Sequence, residues 1–417
     1  MRVLILGSGG REHAIGWKLA QSERLDTLIS APGNPGLAQL GEVVPELDLL
    51  DADAVAGVAT AYRIDLVVVG PEAPLAAGIV DVLNHRGIAA CGPTAAAARL
   101  EGSKAYAKEI MARAGVPTAP ARIFTEIEAA IEYLDGVAGP YVVKADGLAA
   151  GKGVLVTEDR NAARRWVRRC LEGHFGEAST SVVIEDYLDG PELSILALCD
   201  GNRALALPPA RDYKRLEDGD RGPNTGGMGC FSPVGIPDGL VDDVMDTVIR
   251  PVLAELAADG ITYRGFLYAG LVLTADGIKV LEFNCRLGDP EAQVILARLD
   301  EDLLELLMAS TTGTLPDRPL SVSADAAVDV VLVAPGYPES VATGGEITGV
   351  DQAGRFAGVH IFHAATASTA AGLVTSGGRV LNVVGVGENI GAARERAYAA
   401  AAKIDFEGKR FRTDIGS

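Results

Sequence analysis

The chain has 417 residues, 48% of them hydrophobic, and a formal charge of −19. That length exceeds one ordinary core and implies two or three domains. The acidic balance argues against a nucleic-acid partner, while local clusters of Lys and Arg remain able to hold small anions. No apolar run reaches membrane-spanning length, which argues against a membrane partner, and residues 1–7 run into a glycine turn rather than a signal peptide. Five scattered cysteines (Cys91, Cys170, Cys199, Cys230, Cys285) read as reduced thiols of a cytoplasmic protein, and five histidines without ligand spacing argue against zinc.

From the N-terminus, residues 3–6, 27–30, 66–69 and 88–91 read as strands, with a helix over 11–21. Apolar strands alternating with helices indicate an α/β domain with a doubly wound parallel sheet. Such sheets bind ligands at the carboxyl ends of their strands, here Gly7-Ser8-Gly9-Gly10-Arg11-Glu12 and Gly70-Pro71-Glu72-Ala73-Pro74. A dinucleotide fingerprint would need glycine at position 12, where Glu12 stands. Gly9, Gly10 and the following helix still offer N–H groups to a phosphate. Gly9, Gly10, Arg11 and Glu12, with Gly70, Pro71 and Glu72, are therefore candidates for substrate binding.

A helix is expected from Ser103-Lys104, then a boundary at 116–120. Strands follow at 141–144, 154–157 and 182–184, with a helix at 131–134 and a basic helix over 160–172 whose arginines form a solvated face. Residues 240–256 read as one long amphipathic helix. A linker over 311–324 precedes strands at 328–333 and 380–384; His360 and His363, on a strand-like run, read as structural.

Chemistry concentrates in three stretches. Lys144-Ala145-Asp146-Gly147-Leu148-Ala149-Ala150-Gly151-Lys152-Gly153 joins two strands through tiny side chains, so backbone amides can approach phosphates, with Lys144 as a point charge. It is not a Walker A loop, since no Ser or Thr follows Lys152 and a strand, not a helix, comes next. Glu185, Asp186, Tyr187, Leu188 and Glu192 lie on a kinked acidic connector able to meet an adenine edge and ribose hydroxyls. The third stretch, Glu282-Phe283-Asn284-Cys285-Arg286-Leu287-Gly288-Asp289-Pro290-Glu291, follows a hairpin with Asp276-Gly277 as its expected turn. Alternation puts Glu282 and Asn284 on one face, a hard oxygen pair suited to Mg2+, with Arg286 as a fixed charge beyond.

In order, Gly7–His13, Gly70–Leu75, Lys144–Gly153, Gly222-Pro223-Asn224-Thr225-Gly226-Gly227-Met228-Gly229 and Glu282–Glu291 resemble the phosphoribosylamine–glycine ligase family of ATP-grasp enzymes, over essentially the whole chain. The resemblance implies an N-terminal doubly wound domain (1–103), a two-lobed ATP-grasp domain (104–310, lid lobe about 118–190) and a small α+β C-terminal domain (325–417). It implies ATP as substrate with Mg2+ or Mn2+ on Glu282 and Asn284. Lys104 and Lys144 would meet ATP phosphates, Gly151, Lys152 and Gly153 would belong to a lid, residues 185–188 would line adenine, and Glu192 would hold ribose. Asn224, Thr225, Gly226, Gly227, Met228, Gly229 and Gly288 would surround the substrates glycine and 5-phosphoribosylamine, with Asp212, Lys214, Arg286 and Asp289 as catalytic groups. A monomer or weak dimer is expected. Two positions depart from the family pattern. Tyr213 stands where relatives commonly have histidine, and residues 267–270 lack the metal carboxylate of sister enzymes. A sister carboxylate ligase, a nicotinamide oxidoreductase and a nucleotide sensor are the competing readings.

Overall fold

The computed structural model describes residues 1–149, 153–176 and 181–417. Its first sheet is wholly parallel, in the order Glu42–Val43, Thr27–Pro32, Arg2–Gly7, Leu66–Val69, Ala90–Cys91. Helices cover both faces, which is why Val3, Leu4, Ile5 and Leu6 can be consecutive and all fully buried: Val3 and Ile5 join one core, Leu4 and Leu6 another. Strand order reverses at Arg2–Gly7, so the loops after that strand and after Leu66–Val69 open into one crevice.

Two antiparallel four-stranded sheets follow. One runs Ala121–Phe124, Val182–Asp186, Tyr141–Ala145, Val154–Thr157, backed by helices Ile127–Gly136 and Arg160–Leu171. The other runs Ala204–Ala206, Glu192–Asp200, Arg264–Thr274, Gly277–Asn284. Its hairpin turn is Ala275-Asp276, one residue earlier than expected: Thr274 pairs with Gly277, and Gly277 takes the left-handed φ of +110°. The single helix expected over 240–256 runs as Leu240–Val244, a π turn Met245–Ile249 and Arg250–Ala258. Pro251 has no N–H to give the carbonyl four residues back, so the ladder loosens there.

The last sheet orders Arg211–Asp212, Gly229–Ser232, Ala326–Val333, Arg379–Gly387, Val359–His363, packed against helix Ile390–Ala401. Its first two strands come from the middle of the chain. On the other side, this sheet meets the N-terminal helix Gly10–Leu19 through rings: Trp17 and His360 lie 4.5 Å apart, His13 and Phe362 5.5 Å. His363 N–H donates to His13 Nδ1 at 2.8 Å, and Asn34 Nδ2 donates to the His363 carbonyl at 2.8 Å.

Burial, then the nearby His363, pushes His13 down to about 3, and burial pushes His363 down to about 4. The geometry agrees, because a proton on His13 Nδ1 would face the N–H it accepts. Both shifts run below the unfolded value of 6.5, so the fold favours neutral rings. Their contribution is complete above about pH 6.5 and is lost as pH falls towards 4 and then 3. His13 alone costs about 2 kcal/mol of stability at pH 5. Denaturant unfolding of wild type and His13→Asn at pH 7, 6 and 5 should show a smaller acid loss in the variant; parallel losses would exclude His13 as the cause.

Candidate active site

A cleft of about 1040 Å³ lies between the carboxyl ends of the parallel sheet and the two antiparallel sheets. Strand Gly277–Asn284 supplies its floor. Gly270 faces Glu282 while Leu271 faces Val280, so Leu281 is an extra, bulged residue. A bulge re-aims the side chains beyond it. Glu282 and Asn284 both line the cleft, and Phe283 goes to the core with Leu193 and Leu267. Alternation would place Leu281 with Phe283, yet Leu281 is not among the core residues that surround Phe283, and its carbonyl accepts from Lys144 Nζ at 3.2 Å. Burial would raise the Glu282 carboxyl, yet Lys214, Lys144, Lys104 and Arg286 together hold it below the ordinary value. It is therefore an ionised carboxylate inside a ring of cations.

At the sheet that holds Tyr141–Ala145 and Val182–Asp186, Lys144 Nζ lies 2.9 Å and Lys108 Nζ 3.5 Å from opposite oxygens of buried Glu185. Glu185 thus fixes two ammonium groups, which an adenine-lining role did not anticipate. Lys108 was not anticipated either. It sits four residues after Lys104 on helix Lys104–Ala114, so helical spacing was the available signal. Lys104 donates to the Gly147 carbonyl at 3.0 Å. Asp146 accepts from Ser181 Oγ at 2.8 Å and from Ala105 N–H at 3.2 Å, tying the small-residue loop to that helix start. Gly153, Asp186, Tyr187 and Leu188 line the same end; Gly151 and Lys152 lie outside the described residues.

Across the cleft, Lys214 Nζ is 2.5 Å from Glu192 and 3.9 Å from Asp212. Glu192, expected at ribose, is engaged by that ammonium. Burial, opposed by Lys214 and reinforced by Glu291, Glu192 and Glu282, pushes Asp212 up to about 7. Arg286 reaches back to the N-terminal domain, 3.3 Å from Glu72 and 3.0 Å from Glu101. Glu101 also accepts from Cys285 N–H at 2.7 Å, so one buried carboxylate fixes both the strand end and the guanidinium. Nothing in the local sequence marked Glu101, which lies far from Arg286 along the chain. Asp289 pairs with Arg379 of the last sheet at 3.3 Å and accepts from Gln293 Nε2 at 2.9 Å. Arg379 also escaped sequence reasoning.

Several expected substrate contacts fall elsewhere. Glu12 curls back so that its carboxylate accepts from Gly9 N–H at 2.6 Å and pairs with Arg11 at 2.6 Å. The anion expected at that helix start is supplied by the chain itself. Gly70 borders Glu12, since a Cβ there would lie 2.1 Å from its Oε1; a Cβ on Gly10 would lie 2.2 Å from Asn382 Nδ2. These two glycines serve packing, whereas Gly9, Arg11, Glu12, Pro71 and Glu72 line the cleft. Asn224, Thr225, Gly226 and Gly288 line it too. Gly227 instead packs on Pro290, Met228 is fully buried with Leu216, Val331 and Val333, and Gly229 belongs to the last sheet. Tyr213 points into the C-terminal core, with its hydroxyl accepting from Gly416 N–H at 3.1 Å. The residue in the histidine position therefore does not face the reacting groups.

Family models described as phosphoribosylglycinamide synthetase match in three parts: the N domain over 1–101, the ATP-grasp (A) domain over 102–292 and the C domain over 327–417. The chain belongs to the phosphoribosylglycinamide synthetase family. A phosphoribosylamine–glycine ligase of Leifsonia xyli is 49% identical over 421 residues, covering 100% of both chains, and one of Mesorhizobium japonicum is 47% identical over 418 residues, covering 100% of this chain and 98% of its own. The crystal structure of phosphoribosylamine–glycine ligase from Thermotoga maritima superposes with a TM-score of 0.87 at 38% identity, covering 99% of this chain and 100% of that one. A biotin carboxylase from Campylobacter jejuni, at 17% identity and TM-score 0.73, covering 98% and 92%, shares the fold. Lys104, Lys144 and Glu282, all in the cleft, lie within the stretch matched by the ATP-grasp domain model.

Proposed function

We propose that the protein joins glycine to 5-phosphoribosylamine with ATP, giving glycinamide ribonucleotide, ADP and phosphate, a step of purine biosynthesis. The observation that carries this reading is the gathering of Glu282 and Asn284 with Lys104, Lys144, Lys214 and Arg286 in one cleft shared by all three domains. An amine cannot displace oxide from a carboxylate, so the carboxyl group must first be activated. In the first step a glycine carboxylate oxygen attacks the γ-phosphorus, the bond to ADP breaks, and glycyl phosphate forms. Lys104 and Lys144 hold the phosphates, and Arg286 neutralises the charge that spreads over the oxygens in transfer. The acceptor amine then attacks the acyl carbon, the carbon–oxygen bond breaks, and phosphate leaves with one amine proton.

Glu282 and Asn284 present two hard oxygens two residues apart on one strand. Among the described residues no group of three or more His, Cys, Asp or Glu side chains forms a closed metal cage. Two protein oxygens completed by phosphate and water suit Mg2+ or Mn2+. When bound there, such an ion supplies Lewis-acid neutralisation of the phosphate oxygens. Tyr268 and Gly270 face Asn284 and Glu282 across the hairpin, so the neighbouring strand adds no carboxylate. The domain divisions at 1–103, 104–310 and 325–417 belong to this reading, as does a cytoplasmic setting for a monomer or weak dimer. The five described cysteines, all buried and free, support that setting.

An ADP-release assay with glycine and phosphoribosylamine, each omitted in turn, tests the assignment. Full turnover should need both, and ATP with glycine alone should release little ADP, because glycyl phosphate stays shielded from water. Rapid ADP release from glycine alone, or turnover with neither, would refute it.

A further inference from the structure

Arg379 enters the cleft from the C-terminal sheet by a local irregularity. Leu332 faces Leu381 while Val333 faces Arg379, so Val380 is an extra residue. The bulge turns Arg379 towards the site rather than along its sheet face. There its Nη1 donates to the Gly226 carbonyl at 2.6 Å and to the Asp289 carbonyl at 2.7 Å, while Nη2 lies 3.3 Å from Asp289 Oδ2. A second C-terminal residue joins in, since Gly226 N–H donates to Tyr337 Oη at 2.9 Å. Gly227 lies so close to the turn after Asp289 that a Cβ would sit 2.4 Å from Pro290 Cδ. Arg379 therefore binds the 224–227 loop to the 289–290 turn, and Tyr337 holds the loop from a second side.

This clamp sits away from the nucleotide end. Lys144, Lys108 and Glu185 pair among themselves, whereas Asp289 faces the N-terminal loop: a Cβ on Gly9 would lie 3.3 Å from its Oδ2. Asp289 is held ionised against burial by Arg379, Arg11, Gln293 and Arg286. An ionised carboxylate at this place is an acceptor for an amine N–H. Arg379 is held by Asp289 and by two backbone carbonyls, which makes it a fixed support for both segments.

We propose that Arg379 is a positioning residue for the acceptor amine, holding Asp289 and the 224–227 loop where the amine of phosphoribosylamine docks. The inference rests on the ligase reading above and adds the half of the reaction that this residue governs. Through Asp289 it sets use of the amine, and it leaves ATP binding alone.

Steady-state kinetics of the full-length Arg379→Lys, Arg379→Met, Asp289→Asn and Arg379→Met/Asp289→Asn variants test it. Arg379→Met should raise the KM for phosphoribosylamine by about tenfold or more, the scale of one lost charge-assisted contact. KM for ATP should stay within about twofold. Arg379→Lys should recover part of the loss, as should guanidinium ion added to Arg379→Met. Because Arg379 acts in part through the Asp289 carboxylate, the double variant should lose clearly less than the product of the two single losses. An unchanged amine KM, equal rises for all three substrates, or additive losses would overturn the proposal. Should Arg379→Met fail to fold, Tyr337→Phe loosens the same loop and should raise the amine KM selectively by about two- to fivefold; an unchanged value there overturns the proposal as well. If the wild-type protein needs no phosphoribosylamine, the ligase reading itself fails, whatever the variants do.

Discussion

Arg286→Ala should lower turnover by about 10²–10³-fold, equivalent to about 3–4 kcal/mol of transition-state stabilisation from one preorganised cation. The guanidinium is already fixed before substrate arrives, between Glu72 and Glu101, so it loses little freedom when charge develops in phosphoryl transfer. Removal also leaves Glu101 buried without its partner. Burial already raises that carboxyl, with Arg286 opposing, so the variant loses the cation that offsets its burial. Some stability is therefore lost along with activity, and the kinetic loss has to be read on folded protein, checked by its melting curve. Arg286→Lys separates the effects, since it keeps the charge but cannot reach both carboxylates with one planar group. It should fall between wild type and alanine. A folded Arg286→Ala protein turning over within a few-fold of wild type would remove Arg286 from the chemistry.

Glu282→Gln should have an effect of similar size with a different signature. Neutralising this carboxylate removes the charged member of the oxygen pair, so turnover should fall by about 10²–10³-fold and the divalent-ion concentration for half-maximal activity should rise. Lys214, Lys144, Lys104 and Arg286 lose the anion that offsets them. The cleft then becomes more positive, and ATP measured without divalent ion should bind as well or more tightly. That opposition, weaker chemistry with undiminished metal-free binding, is the diagnostic. A parallel loss of both would mean that Glu282 maintains the shape of the site and does not hold an ion.

Much of the architecture was legible because local signals and tertiary context agree. Residues 3–6 could be read as a strand without alternation because helices cover both faces of that sheet. Lys144, Glu282 and Asn284 could be singled out because they stand at or near strand ends, where a side chain is free to face a ligand. Legibility failed where the signal lay between distant segments. Glu101 and Arg379 carry no motif, and only the packing of three domains brings them to Arg286 and Asp289. The bulge at Leu281 depends on how two strands register, which alternation alone cannot express. Met228 and Gly229 failed in the opposite sense: they belong to a recognisable loop, yet their side of it builds the C-terminal sheet. Glu12 shows a third kind of failure, in which a missing glycine was noticed but the carboxylate's return onto its own helix was not.

Strand Gly229–Ser232 pairs directly with Ala326–Val333, although about a hundred residues separate them. A fragment beginning near residue 325 would leave that buried β-strand with one bare side, its amides and carbonyls unsatisfied and open to self-association. The remaining piece would lose the surface on which residues 228–232 are folded. Gene fusion or truncation at this junction is thus constrained by a chain that enters the last sheet at 211–232, leaves it and returns at 326.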